Sequence, residues 1–195
     1  SELASLGASF GQNVLADEKD WVLFLAEEDL AGLPDFLRDS MAEAAASRDR
    51  PGKFAVTLSR SIVIPFLTFS SRRDLREKAF RAFAMRGGNG GATDNSEIVR
   101  KTLALRAEKA RLLGYGTYAA LKLDDTMAKT PDAVLRLLEP VWEKAREKAA
   151  AARMELQKLA EAEGQNEAIA PWDWRYYAEK LRAETYDFDE AELKP

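Results

Sequence analysis

The chain has 195 residues, 46% hydrophobic and 32% charged, with a formal net charge of −4. That mixture describes a soluble globular protein with apolar material for a sizeable core, and its acidic balance excludes the broad positive field that holds a phosphate backbone. The absence of histidine and cysteine excludes disulfides, Ser–His and Cys–His pairs, and histidine-ligated zinc within the chain. No run approaches the roughly 20 apolar residues of a membrane span, and no basic-then-apolar leader opens the sequence. The expected setting is therefore the cytoplasm, with neither nucleic acid nor membrane as partner.

In chain order, Leu3, Leu6, Phe10, Asn13 and Val14 fall at helical spacing, and the polar ADEKD predicts that the helix of residues 2–15 ends there. The chain enters this helix directly at Ser1, which reads as a piece cut from a longer polypeptide. Trp21 to Leu25 is too short and uniformly apolar to separate a strand from a buried turn. LAGLPDFLRDSMAEAAASR predicts a helix opened by Pro34, with Phe36, Leu37, Met41 and Ala44 as its stripe, closed by Arg50-Pro51-Gly52. KFAVTL, residues 53–58, alternates Phe54, Val56 and Leu58 against Ala55 and Thr57 and predicts a strand.

Ser61 to Ser70, interrupted by Pro65, reads as a short helix or turn. RRDLREKAFRAFAM (72–85) is an amphipathic helix with Leu75, Ala79, Ala82 and Phe83 inward and Arg73, Glu77 and Arg81 outward. It runs into Gly87-Gly88-Asn89-Gly90-Gly91, which no helix crosses cheaply at about 1 kcal/mol per glycine. Asp94 and Glu97 form a capping pair for a helix through Ile98, Leu105 and Leu112, closed by Gly114. Tyr115 to Met127 predicts a shorter helix with Tyr118, Leu121 and Met127 inward. Thr130-Pro131 restarts the chain in its longest helix, near 131–163, with Val134, Leu138, Val141, Ala145, Ala149, Ala152, Leu156 and Leu159 as its stripe and a bend at Pro140. Gly164 to Ala170 is a loop. The last helix presents Trp174, Tyr177, Ala178 and Leu181 on one face.

The fold class is thus mainly α, a multi-helix region with a minor strand component. Without a linker or internal repeat, residues 1–195 read as a single helical region.

Four features invite chemistry. GGNGG lacks the Gly-Lys-Ser/Thr of a phosphate loop and follows a helix, so it reads as a flexible surface loop. Asp124-Asp125 and Asp187, Asp189, Glu190 lack the spacing of an EF-hand and read as solvated carboxylates. Arg136 to Lys158 is balanced by Glu139, Glu143, Glu147 and Glu155, the signature of an exposed helix face rather than a nucleic-acid patch. PWDWRYYAEKLR (171–182) holds two of the four tryptophans and two of the five tyrosines. Helical phase favours Trp174 as a core anchor over an aromatic platform for a ligand and leaves Trp172 and Tyr176 off that face, free to pack against a neighbouring domain.

PWDWRYYAEKLR followed by YDFDEAELKP resembles the thimet oligopeptidase and neurolysin family of zinc peptidases, and its PWDW form is most similar to the peptidyl-dipeptidase branch. LREKAFRAFAMRGG, TDNSEIVRKTLALRAEKARLLGYGTYAALKL, MAKTPDAVLRLLEPVWEKA, FGQNVLADEKDW, LAGLP and KFAVTLS extend the resemblance over nearly the whole chain. The family signature HExxH, two zinc-binding histidines and a general-base glutamate on one helix, is absent, so no catalytic, cofactor-binding or metal residue carries over. The resemblance implies a non-catalytic helical part of such an enzyme, forming one wall of a channel for short peptides. Its partners would be the catalytic half of the same polypeptide, which would hold the zinc, and the oligopeptide substrate. The competing reading is a self-standing helical interaction module.

Overall fold

The computed structural model describes residues 1–186. Eight α-helices and one two-stranded sheet are seen among them: α1 (Glu2–Asp20), β1 (Val22–Leu25), α2 (Asp35–Ala46), β2 (Phe54–Thr57), α3 (Arg60–Phe69), α4 (Arg73–Ala84), α5 (Ser96–Leu112), α6 (Tyr118–Leu123), α7 (Pro131–Ala162) and α8 (Trp174–Tyr186). The chain is mainly α. Its residues group into two compact units, one of Ser1–Leu15 with Gly87–Ala151, the other of Ala16–Arg86 with Ala152 onward.

The second unit holds the main core. β1 and β2 pair antiparallel, Val22 opposite Thr57 and Leu25 opposite Phe54. Leu37 and Met41 of α2, Val63 and Phe66 of α3, and Leu75 and Ala79 of α4 close over Leu25, Val56 and Leu58. β2 is buried on both faces, since Ala55 and Thr57 are as enclosed as Val56 and Leu58. The buried positions on α2 are Leu37, Met41 and Ala45, whereas Phe36 is exposed and sets its ring edge-on to Phe69. α3 runs straight through Pro65. An interior proline costs about 3 kcal/mol, but Ile62, Val63, Phe66 and Leu67 are all buried at about 1.5–3 kcal/mol each, so packing outweighs the missing hydrogen bond.

α1 continues through ADEKD to Asp20, past the expected stop at residue 15. Alanine, glutamate and lysine are good helix formers, Lys19 suits the negative end of the helix dipole, and Glu18 is held by an ion pair to Arg86.

In the other unit the organising group is a buried amide. Asn95 takes a hydrogen bond from Asn13 Nδ2 on its Oδ1 (2.9 Å), donates through Nδ2 to the Phe10 carbonyl (3.2 Å), and gives its backbone N–H to the Gly87 carbonyl (2.8 Å). GGNGG is accordingly less loose than a flexible loop. Gly87 is buried with φ +69, and Asp94 ties the turn by accepting from the N–H groups of Gly90 and Ser96. Asp94 therefore stabilises the start of α5 as expected, while Glu97 pairs with Arg100 instead of closing a capping box. Met127, expected inward, is exposed because α6 ends at Leu123, before reaching it, and Leu112 in the last turn of α5, also expected inward, is exposed as well. α7 begins as the sequence predicts, with Ala133 N–H donating to Thr130 Oγ1 (3.2 Å) and Pro131 at the first helical position. It spans about 48 Å at about 1.5 Å per residue, carrying Pro140 inside it. Its predicted stripe is only partly used. Leu156 and Ala160 are buried, but every residue from Leu135 to Ala151 is exposed, Leu138 and Val141 included.

A Cβ on Gly87 would stand 2.5 Å from Asn95 Nδ2 and 3.0 Å from Val14 Cγ2, whereas one on Gly90, also at positive φ, would meet nothing within 4 Å. Gly90→Ala should therefore cost only the left-handed backbone penalty of about 1–2 kcal/mol. Gly87→Ala should cost clearly more, read as a larger drop in urea midpoint.

Candidate functional site: the PWDW clasp and the trough beside it

Within the second unit, the loop after α7 and the start of α8 bring Asp173 onto α4. The loop is shaped by Gly164 at φ +85 and by Gln157, whose side chain accepts the Ile169 N–H at 2.8 Å and donates to the Glu167 carbonyl at 3.3 Å. Asp173 then turns the chain into α8. Its carboxylate accepts the Ala170 N–H at 2.9 Å, and its carbonyl accepts the Tyr177 N–H at 3.0 Å.

Two arginines one turn apart on α4 converge on that carboxylate. Arg76, 1% exposed, donates Nη2 to Asp173 Oδ1 at 2.8 Å, Nη1 to the Ser70 carbonyl at 2.7 Å and Nε to the Trp172 carbonyl at 3.2 Å. Arg73 reaches Asp173 Oδ2 through Nη2 at 3.0 Å and Glu167 through Nη1 at 2.8 Å. Asp173 is wholly buried. Every polar atom of this group is engaged, which is the condition under which a buried ion cluster is tolerated.

Aromatic rings enclose it. The Arg76 guanidinium lies 4.1 Å from the centre of the Tyr176 ring, and Trp172 is flanked by Arg81 (4.9 Å), Arg73 (5.8 Å) and the tilted ring of Phe80 (6.2 Å). Tyr177 meets Leu156, Ala160 and Ile169 in a small apolar cluster supported by Tyr176, Ala178 and Leu181. This reverses the expected roles of the two tryptophans. Trp172 packs inside the chain on α4, and Trp174, 36% exposed, lies outside the cluster. The phase argument placed Trp174 correctly on the helix. It could not see that the residues before the helix are drawn inward by Asp173.

Arg73 and Arg76 are the members of this clasp that periodicity missed. Arg73 points to Asp173 and Glu167 instead of solvent, and Arg76 occupies the phase between Leu75 and Ala79 that an apolar residue would take. The available signal was a charged residue on a buried stripe, matched by an aspartate set between two tryptophans.

Beside the clasp, α8 borders two adjoining clefts. The larger, about 850 Å³, includes Thr68, Arg153, Ile169, Arg175 and Glu179 in its lining. The smaller, about 390 Å³, is lined by Leu156, Leu181 and Tyr186 among others. Trp174, Ala178 and Arg182 belong to both and make them one trough.

The other charged features singled out in the sequence lie at the surface where they are described. Asp124 and Asp125 are exposed, with Asp124 accepting from the Tyr115 hydroxyl at 2.8 Å, as solvated carboxylates do. Asp187, Asp189 and Glu190 lie outside the described residues. The charged side chains of α7 between Arg136 and Glu155 are exposed, with Lys144 paired to Glu147. A hydrolytic zinc requires nitrogen or sulfur ligands as a rule, so the donor set of this chain does not fit that metal.

Burial raises the pKa of Asp173, but the hydrogen bonds from Arg73, the Ala170 N–H and Arg76 outweigh it and hold the carboxyl below its usual 3.8. A depressed folded pKa contributes stability that is complete above the unfolded value and lost as pH falls through the folded one. The clasp should therefore stay intact at neutral pH and weaken progressively below about pH 4. Asp173→Asn leaves Arg76 buried without a counter-charge and should cost about 3–5 kcal/mol at pH 7. In urea titrations the gap between wild type and variant should narrow below pH 4, and a gap independent of pH would contradict the assignment.

Trp172→Ala should approach the about 3–5 kcal/mol of a buried aromatic truncation, with Trp174→Ala costing much less. Thermal unfolding of the two variants checks the order.

Residues 66–195 match Peptidase family M3. The chain is 35% identical over 196 residues to a dipeptidyl carboxypeptidase of Escherichia coli and 34% identical over 200 residues to an oligopeptidase A of Haemophilus influenzae, in each case over 100% of this chain. A probable cytosolic oligopeptidase A of Arabidopsis thaliana is 33% identical over 203 residues. The chain spans 29% of the length of each of these relatives. It carries neither histidine nor cysteine, shares the order of its segments with these peptidases along its whole length, and belongs to peptidase family M3.

Proposed function

We propose that this chain is the non-catalytic helical part of a zinc-dependent oligopeptidase of the peptidyl-dipeptidase type, forming one wall of the channel that admits short peptides. The parent protein hydrolyses oligopeptides near their C-termini, releasing dipeptides, and works in the cytoplasm. Its zinc and its general base are supplied by residues outside this chain. The observation that carries the reading is the combination of similarity along the whole chain to relatives more than three times as long with a residue set that holds neither histidine nor cysteine.

The surface supports it. Leu137, Leu138, Val141 and Trp142 are 53–70% exposed along consecutive turns of α7. Scattered apolar residues need no explanation, but a contiguous set marks a face that other polypeptide covers. A self-standing module would have to keep this face in water. What the wall contributes is position: holding a substrate in register against the reacting groups supplies several kcal/mol of the barrier reduction.

The test is an assay of an oligopeptide with a free C-terminus against this chain, against the remainder of the parent polypeptide, and against both together, with zinc and then a chelator. This chain alone should cleave nothing, and the two parts together should show chelator-sensitive release of dipeptides. Full activity of the remainder alone would remove the role as a wall, and cleavage by this chain alone would overturn the assignment of the chemistry.

A further inference from the structure

The trough along α8 has an unusual balance of charge. Its larger cleft carries Arg153, Arg175 and Arg182 against the carboxylate of Glu179, and Glu155 adds a second carboxylate in the smaller cleft. Glu179 is already engaged by Arg182, which donates Nε at 2.9 Å and Nη2 at 2.6 Å. Arg153 and Arg175 have no carboxylate partner within ion-pair distance among the described residues. Ile169, Ala170, Pro171 and Ala178 add apolar lining, and Trp174 borders both clefts while part-exposed.

We propose that this trough binds an acidic oligopeptide, with Arg153 and Arg175 taking carboxylates and Trp174 taking an apolar side chain. Three properties select that ligand. Guanidinium groups pair with carboxylates through directed, charge-assisted hydrogen bonds. The trough follows α8 from Trp174 to Tyr186, about 18 Å at about 1.5 Å per residue, which matches five or six residues of extended chain at about 3.3 Å each. Trp174, Ala178 and Leu181 set apolar surface beside the guanidinium groups of Arg153, Arg175 and Arg182, which suits a chain carrying both apolar and acidic side chains. The inference rests on the reading of this chain as a wall for peptides and names the peptide class that this surface prefers.

The probe is a fluorescein-labelled hexapeptide alternating leucine and glutamate, with a leucine–lysine counterpart, both amidated at the C-terminus so that only side-chain charge is read. Titrated with the 195-residue chain and followed by fluorescence anisotropy, the glutamate peptide should bind at least tenfold tighter than the lysine peptide. Its affinity should fall as salt is raised, as exposed ion pairs are screened. Arg153→Glu with Arg175→Glu should weaken it at least tenfold, and Trp174→Ala should weaken both peptides alike. Circular dichroism monitors the fold, and the neutral Arg153→Gln and Arg175→Gln variants, each expected to lose several-fold, serve if the double reversal unfolds the chain. Equal affinity for the two peptides, or binding indifferent to the arginine variants, overturns the proposal. The peptidase reading fails separately: it falls if the parent polypeptide cleaves no peptide while this binding persists, and it stands if cleavage is intact and the binding is absent.

Discussion

One carboxylate organises the C-terminal part of the described structure. Asp173 is fully buried and receives two guanidinium groups from α4 and a backbone N–H from its own loop, while its carbonyl begins the hydrogen-bond ladder of α8. The same residue therefore ends the loop after α7, starts α8, and fastens both to a helix that lies about 100 residues earlier in sequence. An apolar anchor would bury area without direction. An aspartate met by two arginines fixes an orientation, because its lone pairs and their N–H groups match only in one arrangement. The desolvation of so many charges makes the cluster a weak source of net stability but a costly thing to break. Its value here lies in specifying which face of α8 looks inward.

That arrangement explains the aromatic density of PWDWRYY. Tyr176 covers the buried guanidinium of Arg76 and Trp172 flanks that of Arg73, so that rings face the planar cations. Tyr177 turns the other way into the apolar cluster of Leu156, Ala160 and Ile169. Trp174 is then left on the rim of the trough, used by neither the clasp nor the buried apolar cluster.

Much of the fold was legible because the local signals agree with the tertiary result. Thr130-Pro131 opens α7, the alternation in KFAVTL becomes β2, and the stripe of Leu75 and Ala79 faces the core. Legibility failed where local pattern and tertiary demand part. Asp20 lies beyond the expected end of α1 because an ion pair to Arg86 holds a polar turn helical, a contact some 70 residues away that no window contains. Leu138 and Val141 keep perfect helical spacing and are nonetheless exposed, since periodicity reports that a face is apolar and not what meets it. Arg76 and Trp172 are the instructive pair for the site. A charged residue on an inward stripe breaks the local rule, and such a break marks a place where the structure has another use for the position. The aspartate between the tryptophans is its partner, but pairing the two needs the fold.

The exposed middle of α7 sets a physical limit on what this chain does by itself. Burying Leu137, Leu138, Val141 and Trp142 would be worth about 1.5–3 kcal/mol for each side chain, a sum comparable with the 5–15 kcal/mol that holds a typical domain together. A helix of this length gains most of its stability from packing an apolar face and little from intrinsic propensity. With Leu135 to Ala151 in water, the buried side chains of α7 are Leu156 and Ala160, both near its C-terminal end. Under the proposed reading the covering polypeptide therefore does two things at once: it receives a wall and it supplies burial that stabilises the wall's longest element. Position in the channel and stability of the helix become the same quantity, which is why a part without a catalytic residue would still decide how well the whole enzyme works.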